Sequence, residues 1–145
     1  MEILFVYLHI TQNKSYKKFS FAKTIKTMLY QIHAFLKKEA EGCISRAAEL
    51  KADHRADEAN FERIRANVFE IFYTVLQTAQ KVCEDDAAAF SFFLKKTEEI
   101  PQNWAVQYEK AKRYGDVKNE KTEEIKLAAM QQIRAYLEES RGDVE

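Results

Sequence analysis

Gly42, Pro101, Gly115 and Gly142 are the only glycines and proline in a chain of 145 residues. Turns and hairpins draw on Gly, Pro, Asn and Asp at regular intervals, so a chain with this little punctuation is confined to long helices joined by short corners. Gly115 and Gly142 stand where an apolar helical pattern stops, and Pro101 stands where one would restart. The fold class expected from this alone is all-α.

The strongest pattern runs from about residue 20 to 51. Ile25, Leu29, Ile32, Leu36, Ala40, Cys43, Ala47 and Leu50 step by three or four, with Met28 and Phe35 on the flank. That spacing keeps them on one stripe of a helix. Gly42 lies off the stripe, and its cost of about 1 kcal/mol relative to Ala is too small to split so long a helix. Asp53 is placed to cap a second helix running to about residue 83, with Asp57 and Glu58 in its first turns, where the helix dipole favours carboxylates. Written in sevens, its rows are Phe61, Val68, Val75 and Val82; Ile64, Ile71 and Thr78; and the polar Arg63, Glu70, Gln77 and Glu84. Phe69, Phe72 and Tyr73 widen the apolar arc, which predicts a central helix with neighbours on two sides.

Three shorter helices are expected beyond. Asp85 or Asp86 caps the first, which turns Ala87, Phe90, Phe93, Leu94 and Thr97 inward. Pro101 opens the next at its first position, where a missing N–H is harmless, and Trp104, Tyr108 and Ala111 follow until Gly115. The last spans about 117–140 with Ile125, Ala129, Ile133, Tyr136 and Leu137 inward. The architecture predicted is a helical bundle built on a long antiparallel αα-hairpin, with three shorter helices packed against it.

Residues 20–145 form one helical domain in this reading, behind a basic leader at residues 1–19 that is mobile or absent from the mature protein. The charge distribution separates the two. Residues 1–27 carry Lys14, Lys17, Lys18, Lys23 and Lys26 against Glu2 alone, within a chain of zero net charge. The apolar run at residues 3–10 follows an acidic residue, precedes no small-residue cleavage site and is too short for a membrane-spanning helix. With two cysteines at unrelated spacing, the expected compartment is the reducing cytoplasm. In the antiparallel hairpin Cys43 and Cys83 lie about 30 Å apart along the helix, so both are expected as free thiols.

Three groups of residues carry some chemistry. His54, Glu58 and Glu49 place a histidine among carboxylates around one corner, the donor types of a metal site, although a helix start calls for acidic residues in any case. His33, beside Ile32 and Leu36, reads as a packing residue. Lys14, Lys17, Lys18, Lys23 and Lys26 interleave with Tyr16 and Phe19, a composition suited to phosphate backbones or anionic surfaces, but it lacks the arginines that grip phosphate with two donors. No two glycines are close enough to build a phosphate loop.

The function expected is that of a non-catalytic helical module acting through protein contacts, a homodimer among them, with no cofactor and no transmembrane segment. A binder of nucleic acid or anionic surfaces through the lysine-rich segment is the second expectation. A metalloprotein or enzyme centred on His54 is the third.

Overall fold

The computed structural model describes residues 15–142, and the side chains of residues 24–140. Among these residues four helices follow one another: α1 (Ser15–Ala52), α2 (Ala56–Val82), α3 (Asp86–Arg113) and α4 (Val117–Gly142). Among the described residues there is no strand, and no helix is long and apolar enough to cross a membrane. The helix count differs from the sequence expectation, because α3 takes the place of two short helices. The start of α1 differs too. The chain is already helical at Ser15, ahead of the start near residue 20 that the apolar pattern predicts.

The predicted stripe on α1 forms the core. Ile25, Leu29, Ile32, Leu36, Ala40, Cys43 and Ala47 are buried, and Leu50 at the end of the helix is half-buried. α1 pairs chiefly with α2, and α3 with α4; α2 also packs on α3 and α4, as its wide apolar arc requires. Between α1 and α2, His33 meets Tyr73 edge-on at 4.5 Å, Phe35 meets Phe69 at 6.2 Å, and Arg46 reaches Glu62 at 3.2 Å. Phe72 extends the core toward α3, with the Phe93 and Trp104 rings each 6.3 Å away and edge-on. Tyr136 ties α4 to α1: its ring stacks on Phe35 at 4.1 Å and its hydroxyl donates to the Gln31 carbonyl at 3.2 Å. The polar row Arg63, Glu70, Gln77 and Glu84 is exposed as predicted, but Val82 is 68% exposed where the apolar row runs off the end of α2.

Pro101 does not begin a helix. It is buried in the middle of α3, on the stripe made by Phe90, Leu94, Thr97, Trp104 and Ala111. An interior proline deprives the carbonyl four residues earlier of its N–H partner. That carbonyl belongs to Thr97, and Arg134 of α4 donates to it from Nη2 at 3.3 Å. The Thr97 hydroxyl meanwhile donates to the Leu94 carbonyl at 2.6 Å. The interruption in the α3 ladder is thus closed by the neighbouring helix, and α3 continues to Arg113.

The corners at the ends of α1 and α3 share one device. After α3, Asp116 N–H reaches back to the Ala111 carbonyl and Gly115 N–H to that of Lys112, with Gly115 left-handed at φ 67°. After α1, Arg55 N–H reaches Leu50 and His54 N–H reaches Lys51, with His54 left-handed at φ 60°. Both are Schellman turns, whose left-handed position favours glycine. His54→Gly is therefore expected to raise stability by about 0.5 to 1 kcal/mol, since it removes the steric cost of Cβ at positive φ. Thermal melts of the two proteins check this, and a lower midpoint for the glycine variant would mean that the imidazole makes a stabilising contact.

Candidate functional site

The corner between α1 and α2 does not assemble the expected metal ligands. His54 occupies the left-handed turn rather than the first turn of α2, so it does not share a helix face with Glu58. Glu49, His54 and Glu58 are all exposed. Glu58 is engaged elsewhere: Arg55 donates to it through Nε at 2.8 Å and through Nη2, and Asp53 lies 4.0 Å from the same guanidinium. Arg55 holds the Glu58 carboxyl below its ordinary range. Among the described residues, no three His, Cys, Asp or Glu side chains converge as a metal site would require. The predicted capping role of Asp53 is also corrected. The residue preceding α2 is Arg55, with no side-chain capping bond, because the Schellman turn places Asp53 at the end of α1. Capping by a carboxylate occurs instead at Asp85, which accepts from Ala88 N–H at 2.8 Å, and at Asp116, which accepts from Asn119 N–H at 3.2 Å.

Of the lysine series, Lys14 lies outside the described residues. Lys17, Lys18 and Lys23 are described only as helical backbone of α1, and Lys26 is exposed on the same helix.

The polar cluster that the sequence reading missed lies between α1, α2 and α4. Arg46 bridges Glu62 and the buried Cys43 thiol, with Nη2 donating to Sγ at 3.3 Å. Arg65 donates through Nη2 to Gln132 Oε1 at 2.7 Å and stands 3.9 Å from Glu62. Burial pushes the Cys43 thiol above its ordinary range, which disfavours the nucleophilic thiolate. This is the chemistry of an interhelical clamp. It was hidden because Arg46, Glu62 and Arg65 look like ordinary solvated positions until two helices and Gln132 bring them together. Cys43 and Cys83 are both free thiols.

His33 is half-buried against Tyr73. Burial lowers its affinity for a proton, a Gln80 hydrogen bond partly offsets this, and the nearby Lys37 charge adds to the lowering. The folded chain therefore binds a proton at this site more weakly than the unfolded one. Its contribution to stability is present above the ordinary imidazole value near pH 6.5 and is lost as pH falls through the lowered folded value. Urea midpoints at pH 7.5 and pH 5 should accordingly fall further for the parent chain than for His33→Gln. Equal losses would place the titration elsewhere.

Among the described residues, the outer flank of α1 is one of two surfaces that expose large apolar side chains beside a shallow groove, the other being Val106 and Tyr114 at the end of α3. Tyr30 is 77% exposed and Ile44 is 50% exposed on a helix whose core stripe is already satisfied. A shallow groove of about 670 Å³ adjoins Ile44, lined by Ala47, Ala48, Lys51, Ala52 and Arg63 of α2. Its alanine floor lets another chain approach closely. Comparison with family models, curated proteins and solved structures yields no match.

Proposed function

We propose that this chain is a non-catalytic helical interaction module that acts by associating with a second copy of itself. The observation that carries the reading is the pair of exposed apolar residues on the longest helix, Tyr30 and, about four turns further along, Ile44, which borders an alanine-floored groove. Ala34 and Ala48 continue the flank between and beyond them, so that a second helix can pack along a stripe of exposed apolar and small residues. The frame we propose for that flank is the long antiparallel hairpin of α1 and α2. It is supported by contacts in which positions 33, 35 and 46 of α1 meet 73, 69 and 62 of α2. Two free thiols fit a reducing cytoplasm as its setting.

The test is light scattering of the full chain at rising concentration, paired with salt elution from heparin. The reading expects a mass that rises from 17.0 kDa toward that of a dimer, without salt-dependent retention. A constant monomer mass together with steep salt-dependent retention would favour the lysine-rich segment as an anion binder instead.

A further inference from the structure

We infer that α1 pairs with the α1 of a second copy in antiparallel fashion about a two-fold axis near Glu39, an assignment that rests on the self-association reading above. Tyr30 then packs on the partner's Ala48, Ala34 on the partner's Ile44, and Lys37 meets the partner's Glu41; the two-fold axis generates each contact twice.

The geometry of α1 sets out this seam. At 3.6 residues per turn, positions 30, 34, 37, 41, 44 and 48 fall within a sector of about 80°. All six residues are exposed, and none belongs to the buried stripe of Leu29, Ile32, Leu36, Ala40, Cys43 and Ala47. Their spacing alternates by four and three, the repeat with which helices interdigitate along a seam. Among the described residues, Lys37 and Glu41 make no ion pair or hydrogen bond, although they stand one turn apart. Lysine preceding glutamate is the less favourable order for pairing within a helix, so both charges remain available to a partner.

Complementarity then selects direction and register. In the assigned arrangement each large apolar residue faces an alanine and each charge faces its opposite. A parallel pairing would set Lys37 on Lys37, Glu41 on Glu41 and Tyr30 on Tyr30. Sliding the antiparallel pair by one heptad sets Tyr30 against Glu41 in one direction, or Glu41 against Ile44 in the other. The groove accommodates the same register. The partner's Tyr30 falls over Ala48, between Ile44 and Ala52, and the Lys51 and Arg63 that line the groove place cations beside its ring.

The experiment uses the full chain and two exposed substitutions, Lys37→Glu and Glu41→Lys, with circular dichroism to verify unchanged helix content. Each variant alone places like charges in both symmetric contacts, and its self-association should weaken by at least about tenfold. Mixed in equal amounts, the two variants restore opposite charges at both contacts, so the mixture should return to the dimer mass by sedimentation velocity. If the parent chain self-associates but neither substitution changes its mass, the seam is wrong while the self-association reading stands. If the parent chain stays monomeric at every concentration, both are overturned.

Discussion

Replacing Phe72 by alanine is expected to destabilise the protein by about 3 to 5 kcal/mol, the range for deleting a fully buried phenylalanine. Phe72 has no exposed surface, lies at the centre of the helix that packs on the other three, and meets both Phe93 and Trp104 edge-on. Removing the ring leaves a void that rigid helices on several sides cannot collapse into. Gln77, one turn along on the exposed row, should tolerate alanine within about 0.5 kcal/mol. Urea unfolding of the two variants provides the comparison, and similar midpoints would mean that the helical phase of α2 is wrong.

The second large effect is expected at Arg134. Its guanidinium donates to the Thr97 carbonyl that Pro101 leaves without a helical partner. Arg134→Met removes that donor while keeping much of the apolar stem, so a buried carbonyl goes unsatisfied at a cost of about 1 to 2 kcal/mol. In a Pro101→Ala background the helix supplies its own N–H to Thr97, and the same Arg134→Met change should cost less than about 0.5 kcal/mol. A double-mutant cycle measured by urea unfolding reads the coupling directly. Additive effects would show that Arg134 stabilises α3 through something other than the proline gap.

This pair of residues also shows where the sequence could be read and where it misleads. The run Phe90, Leu94, Thr97, Pro101, Trp104, Tyr108 and Ala111 steps by three and four without interruption, which is the pattern of one helix. Pro101 occupies a stripe position itself. Local propensity assigns a proline to a helix start, and the observed continuity depends on a donor 37 residues from the carbonyl it serves, which no local pattern reveals. His54 misleads in the opposite sense. Among acidic neighbours it resembles a ligand, whereas its backbone performs the task that Gly115 performs at the other Schellman corner.

The α1 stripe, the exposed row of α2 and an aspartate cap at residue 85 or 86, which the structure assigns to Asp85, all follow from periodicity and cap chemistry within a few turns. Asp116 carries the same signal, a carboxylate three residues ahead of a helical N–H that it accepts from, and the neighbouring Gly115 accounts for the break equally well in the sequence. The Arg46, Glu62, Arg65 and Gln132 cluster had no such signal, since its members come from three helices. The outer flank of α1 was legible in principle. Tyr30, Ala34, Ile44 and Ala48 were available as a second stripe, but exposed and buried stripes look alike until the core has claimed its own face.

The pairing of α1 with a second copy is tested most directly by distances between single spin labels, one per chain, in a Cys83→Ser background with Cys43 shielded by burial. Lys38 and Glu49 are both exposed on α1 outside the seam and serve as label sites after replacement by cysteine. An antiparallel seam centred near Glu39 brings the two labels at position 38 within about 20 Å, and separates those at position 49 by about 30 Å along the helix axis. A short distance at 38 with a long one at 49 is the predicted result. Equal distances at the two sites, or no intermolecular dipolar signal at concentrations where the mass is that of a dimer, would contradict it.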